Sequence, residues 1–248
     1  LLIAEKLAVS DWKDMGGDNL FAKLTSNSLS LAKSMLGGIL SGVSKPVIRK
    51  ATEETVRQLG AQFVVGESIT QALKTAEKSG NSGYRMSFDM LGEGARTHSD
   101  AERYFRSYLE AARVIGKAID TALPLERRHG MSIKLSALHP RYTWTQGEDC
   151  VPVICDRLLA ICQIAASHGF TLTVDAEESE RLELSLEIIS RVATHSSLKN
   201  WGGFGLAVQA YDRRAHSVID YICTLAKESG QRLQIRLVKG AYWDSEIK

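Results

Sequence analysis

Five short apolar runs in this chain each end on a charged or amide residue, and helical text separates them. The runs are YRMSFD (84–89), MSIKL (131–135), FTLTVDAEE (170–178), FGLAVQAY (204–211) and LQIRLVKGAYW (233–243). Runs of this length, rich in β-branched and aromatic residues, predict strands. Their starts lie roughly 30–47 residues apart, enough for one helix in each interval. The intervening text supplies those helices. ESITQALKTAEKSG (67–80) is amphipathic, DAERYFRSYLEAARVIGKAI (100–119) is the longest helix, with Ser99 expected as its N-cap, and VPVICDRLLAICQIAASHG (151–169) ends on a capping glycine. RLELSLEIISRVATH (181–195) and HSVIDYICTLAKESG (216–230) complete the set. Strand alternating with helix predicts an α/β fold with a parallel sheet, wound as a β/α barrel or as an open doubly wound sheet.

Residues 1–61 differ. SLSLAKSMLGGIL (28–40) and KPVIRKATEETVRQLG (45–60) read as helices without strand text between them, so an α-helical arm is expected there, with the β/α part running over 62–248. Five strands fall short of the eight that close a (βα)8-type barrel. Asp244 and Ser245 read as the start of another helix. The expectation is therefore a barrel of which about five β/α units are present, with on the order of 100 further residues needed for closure.

Composition adds little. Of 248 residues, 44% are apolar and 24% charged, and the net charge of +2 gives no argument for nucleic acid or an anionic membrane. The four cysteines, Cys150, Cys155, Cys162 and Cys223, form no CxxC pair, which fits a reducing, cytoplasmic setting. The apolar runs are read as too short for a membrane span.

In parallel folds of both kinds the C-terminal strand ends form one face, where ligands bind. Asp89, Lys134, Asp175, Gln209, Arg236 and Lys239 are thereby expected around one pocket. A lysine inside an apolar strand needs a counter-charge, and Asp175 on the neighbouring strand is the expected partner. Asp175, Glu177 and Glu178 are acids enough for a divalent cation, but Lys134, Arg236 and Lys239 nearby would repel one, so no metal is assigned. In RLVKGAYW two cations, Gly240, Tyr242 and Trp243 stand together. Such a set suits a planar, electron-accepting, partly anionic ring such as a flavin, with a phosphorylated sugar as the chemical rival. No GxGxxG follows a strand, which argues against a Rossmann site. His139, in a loop before a proline, reads as structural.

FVVGESI, DMLGE, SIKLSALHPRY, DAEES, VQAY and RLVKGAYWDSEIK together resemble one family, the proline dehydrogenase domain of the bacterial bifunctional proline utilisation flavoenzymes, from about Lys45 to the last residue. The resemblance implies a distorted β/α barrel that binds FAD non-covalently. It implies oxidation of L-proline to Δ1-pyrroline-5-carboxylate by hydride transfer to flavin N5, with electrons passed to a quinone during peripheral membrane association. A downstream aldehyde dehydrogenase domain and a homo-oligomer are implied as well. Residue by residue, Arg236 is similar to the donor to flavin N5. Ala207, Gln209, Val238, Lys239, Gly240, Ala241 and Trp243 match flavin contacts. Lys134, Asp175 and Tyr242 match residues near flavin and proline, and Asp89 and Glu93 match acids of the substrate gate that pair with arginines on the family's last helix. Those arginines have no counterpart among these residues, and Ala207 stands where the family pattern has valine. Two rival expectations are a lyase or aldolase using Lys134 as a Schiff base, and a non-catalytic regulatory module. A flavin absorption band separates the first from an FAD enzyme, and a gel-shift tests nucleic-acid binding by the second.

Overall fold

The computed structural model describes residues 64–78, 84–90 and 94–246. The arm expected over 1–61, its boundary with the β/α part, and Glu93 lie outside them. Among the described residues the strands are β1 (Ser87–Asp89), β2 (Gly130–Ile133), β3 (Thr171–Val174), β4 (Phe204–Gln209) and β5 (Gln234–Val238). The helices are α1 (Ile69–Ala76), α2 (His98–Ala118), α3 (Gly147–His168), α4 (Leu182–Ala193), α5 (Ala215–Ser229) and the single turn α6 (Trp243–Glu246). The strands form one parallel sheet in the order β1-β2-β3-β4-β5. Chain order and spatial order coincide. A doubly wound sheet reverses its order at a switch point; this one does not, and its strands follow one another as the wall of a (βα)8-type barrel does.

The strands are shorter than their apolar text. β3 ends at Val174, so Asp175–Glu178 belong to a loop, and β5 ends at Val238, which leaves Lys239–Tyr242 as a turn before α6. Helix α2 begins two residues earlier than expected. Thr97, not Ser99, is the N-cap: its hydroxyl accepts from Asp100 N while the Asp100 carboxylate accepts from Thr97 N. This reciprocal pair satisfies two otherwise orphaned amides, a gain Ser99 lacks. α3 begins at Gly147, four residues before the expected Val151, so that Pro152 lies inside its second turn, where the missing N–H removes one helical hydrogen bond. Gly169 ends α3 with φ 70°, the left-handed cap its position predicted.

Registered positions in a parallel sheet point to the same side, and this sheet has two unlike sides. Phe88, Met131, Leu172 and Phe204 form one row and Ile133, Val174 and Leu206 the next; all are buried in one cluster with Ile115, Ile154, Leu158, Ile161, Ile188 and Ile222 of the helices. The opposite side carries Asp89, Ser132, Thr173, Gly205 and Gln234 in one row. Apolar area removed from water on the helix side, at about 25 cal/mol per Å², dominates the stabilisation. Polar residues on the other side are retained for a different reason. One stretch among the described residues, Trp144–His168, is long and apolar enough to cross a membrane, contrary to the sequence reading. Its stripe Cys150, Ile154, Leu158, Ile161 and Ala165 is buried in the core, and Glu148, Asp149 and Asp156 on its other faces are exposed, the pattern of a core helix.

The capping box makes a direct prediction. Thr97→Ala should destabilise the protein by about 1 kcal/mol, lowering the thermal midpoint by about 2–4 °C, with α2 fraying from its first turn. An unchanged midpoint in thermal denaturation would show that the cap carries nothing.

Candidate active site at the C-terminal strand ends

Beyond the row of Asp89 and Ser132, the next row on the polar side consists of Lys134, Asp175, Ala207 and Arg236. Ala207 pairs directly with Arg236, and Lys134 and Asp175 each follow the last registered pair of their strands. Lys134 Nζ donates to Asp175 Oδ2 at 3.2 Å and to Asp89 Oδ2 at 3.0 Å. Arg236 Nη2 donates to the other oxygen of the same aspartate, Asp175 Oδ1. Four charges of alternating sign thus run across the sheet from β1 to β5. The central two, Lys134 and Asp175, have side chains only 12% exposed, whereas Asp89 and Arg236 keep 37% and 39%. The ends of the row face solvent and its middle does not.

The Arg236–Asp175 pair spans β4, because β3 and β5 are separated by two strand spacings of about 4.8 Å each. A long guanidinium side chain reaches that far only over a low floor. Ala207 provides it, with Gly205 and Thr173 in the row below. A side chain is excluded at Gly205 in any case, since a Cβ there would meet the backbone carbonyl of Gln234. Burial raises the Asp175 carboxyl above its usual range, against the pull of Arg236 and Lys134, which favour the ionised form. Tyr108, reaching up from α2, accepts the Lys134 backbone N–H at 3.3 Å, and burial raises its phenol.

The loops after the strands are stitched by residues that sequence reasoning did not single out for this purpose. Glu177 accepts from Ser136 N at 3.0 Å and from Arg181 Nη1 at 2.8 Å, which accounts for an acid earlier weighed as a metal ligand. Gln209 donates to the Glu177 carbonyl at 2.9 Å and accepts from Ala241 N at 3.0 Å. One amide side chain therefore fixes the β3 and β5 loops at once. Gly240 has φ 124°, and a Cβ there would overlap the Tyr211 ring; only glycine fits. Trp243, half exposed, packs edge-on against Tyr211 at 5.8 Å. Val238 shares the side of Arg236 and Gln209, while Lys239 is exposed at the rim. Tyr242 lies in the turn before α6 and is half-buried. His139 is buried, accepts from Arg141 N at 3.2 Å and stacks edge-on with His98, the structural role its position indicated. Burial pushes the Cys150, Cys155 and Cys162 thiols up, Cys155 to about 11, so none of these three is a ready nucleophile.

A β/α-barrel wall whose strand ends carry an alternating ion row, a bridging amide and an aromatic-lined turn defines the domain of a ligand-binding barrel enzyme. The family model for proline dehydrogenase matches residues 72–248, and the chain belongs to that family. It is 45% identical over 224 residues to the bifunctional protein PutA of Escherichia coli (strain K12), covering 90% of this chain and 17% of that protein. The bifunctional protein PutA of Rhizobium meliloti is 40% identical over 262 residues, covering 100% of this chain and 21% of the relative. Among solved structures, a variant of Bradyrhizobium japonicum proline utilization A superimposes with a TM-score of 0.70 at 49% identity, covering 82% of this chain and 20% of that one. PutA from Bdellovibrio bacteriovorus gives 0.74 at 25% identity, covering 81% and 22%. The chain thus spans about a fifth of the length of these relatives.

The ion row predicts unequal single-mutant effects. Asp175→Ala leaves two cations without their shared partner and should cost about 3–5 kcal/mol. Lys134→Met leaves Asp175 with Arg236 and should cost about 1–3 kcal/mol. The double variant should fall short of their sum in denaturant unfolding; full additivity would mean that the two side chains do not interact.

Proposed function

We propose that the protein carrying this chain oxidises L-proline to Δ1-pyrroline-5-carboxylate with FAD as its cofactor and a membrane quinone as its electron acceptor. The observation that carries the reading is the arrangement of Arg236: held across β4 by Asp175, it uses one N–H group there and, among the described residues, keeps its other donors for a ligand. Membership of the proline dehydrogenase family supplies the reaction class, and the Bdellovibrio relative is an enzyme inactivated by N-propargylglycine.

The residues fit a flavin ring. Ser132, Thr173, Gly205 and Ala207 keep the polar side of the sheet low beneath Arg236, which leaves depth for a flat ligand. Arg236 and Lys239 would bring positive charge and N–H donors, Ala207 and Val238 the apolar floor, Gly240 and Ala241 a backbone that can be approached closely, and Gln209 a fixed amide. Trp243 would flank the ring edge. The chemistry FAD supplies when bound is acceptance of a hydride from proline C5, which, with loss of the ring N–H proton, leaves a C=N bond in the product. Lys134, Asp175 and Tyr242 would line the substrate side. Asp89 and Glu93 are the acids proposed for the gate.

Lys134 also separates this reading from the Schiff-base rival. A lysine nucleophile must be neutral, whereas among the described residues Lys134 touches the carboxylates of Asp89 and Asp175, which favour its ammonium form.

The test uses the purified full-length protein. It should be yellow, and its flavin band should bleach on anaerobic addition of L-proline. Arg236→Met should lower the flavin reduction potential and slow proline oxidation, with an effect on the order of 1–3 kcal/mol from losing a charge-assisted donor. A colourless protein defeats the cofactor assignment. A wild-type potential and rate in Arg236→Met defeats the role of that residue.

A further inference from the structure

We infer that Glu246 is a positioning residue, which with Tyr211 latches the β3, β4 and β5 loops together and so holds the Asp175–Arg236 pair in register. The inference rests on the reading of that pair as the ring-binding site.

Glu246 uses both of its oxygens. Oε1 accepts from Ser179 N at 2.7 Å, and Oε2 accepts from the Tyr211 hydroxyl. Ser179 lies in the β3 loop four residues after Asp175, Tyr211 lies in the β4 loop, and Glu246 lies in α6, ten residues after Arg236. The latch therefore joins the same three strands that the Asp175–Arg236 bridge crosses, one layer further out. The β3 loop is held at Ser179 on both sides of one residue. Its N–H goes to Glu246, and its carbonyl accepts from Arg214 Nη2 at 2.9 Å. Arg214 is itself fixed by Asp212 at 2.9 Å. On the β5 side, the Tyr211 ring closes over Gly240 and meets Trp243 edge-on, and Tyr211 N donates to the Lys239 carbonyl at 3.2 Å.

The physical consequence is mechanical. The β3 loop carries the shared aspartate at its start and has no regular structure until the short helical turn at Ser179–Arg181. The middle of that loop is held at Glu177 by Ser136, Arg181 and Gln209; without a further hold at Ser179 its far end would be free to open, and the Asp175 carboxylate and Arg236 would lose part of their fixed position. A carboxylate accepting from a backbone amide and a phenol at once fixes the far end of that loop through charge-assisted bonds. Hydrogen bonds of this kind, half-buried, resist the local opening that loops otherwise undergo.

The experiment compares Glu246→Ala, Glu246→Gln and Tyr211→Phe in the full-length protein. Glutamine keeps an acceptor for Ser179 N, and its amide can donate to the Tyr211 oxygen. In cofactor-free protein, amide exchange at Ser179 should quicken about tenfold in Glu246→Ala and return close to the wild-type rate in Glu246→Gln. In flavin-loaded protein, Glu246→Ala should lower the reduction potential and kcat in the same direction as Arg236→Met, again with rescue by glutamine. Tyr211→Phe, which removes one bond and keeps the ring, should shift both in part and serves if the alanine variant does not fold. Unchanged exchange at Ser179 overturns the latch. A lowered melting temperature with wild-type potential and kcat overturns the positioning role and leaves Glu246 a stabilising contact only. Failure of wild-type protein to reduce flavin with proline would instead overturn the functional reading, and the exchange measurement would still judge the latch.

Discussion

The structure turns on one carboxylate shared by two cations. Asp175 takes Lys134 on one oxygen and Arg236 on the other, and everything around it can be derived from the need to make that possible. Sharing requires three strands in fixed register, since one partner is on the adjacent strand and the other is two strands away. Parallel pairing sets that register, and a slip of one residue would turn each of these side chains to the helix side. A buried ion pair is weak evidence of stability, because desolvating the charges offsets much of their attraction. An apolar replacement of the whole row could stabilise the sheet equally well. What the row achieves instead is a guanidinium with a defined position and donors to spare, on the polar side of β5.

The helix side of the sheet explains why such a row can be carried. Phe88, Met131, Leu172 and Phe204, with Ile133, Val174 and Leu206 above them, are buried on one side against the helices, from β1 to β4; Ile235 and Leu237 of β5, on the same side, are exposed. That side fixes strand order and register without help from the polar side. The polar side is thereby free to hold small residues, Ser132, Thr173, Gly205 and Ala207, that contribute little to packing. Division of labour between the two sides, rather than uniform burial, separates a sheet that carries a site from one that is only a core.

The strands and helices were legible because each depends on local pattern. Apolar runs, cap glycines and amphipathic spacing mark them within a window of a few residues. The errors were local too. Ser99 and Thr97 are both acceptable caps by type, and only the reciprocal bond with Asp100 decides between them. Lys134 and Asp175 were legible as a pair because strand ends gather on one side of any parallel sheet. The stitching of the loops was not legible. Glu177 to Ser136, Gln209 to Ala241 and Glu246 to Ser179 join positions 41, 32 and 67 residues apart. Each joins two residues whose pairing no local periodicity marks. Gln209 was expected as a ligand contact from its place at a strand end and from the resemblance. Its two ends hold the β3 and β5 loops, which fixes the amide in place and shapes the site.

Ala207 gathers these strands of reasoning at a single atom. Position 207 is on the polar side of the sheet, on the strand between those of Asp175 and Arg236, and is buried. A branched side chain there would widen the gap that the guanidinium must cross, since the arginine would have to rise over it to keep its partner. The short alanine lets Arg236 lie close to the sheet. A lower guanidinium exposes less of its edge to solvent and more of its face to whatever sits above it. The smallest side chain in the row therefore sets how deep the proposed flavin ring can lie, while the largest sets what it meets there.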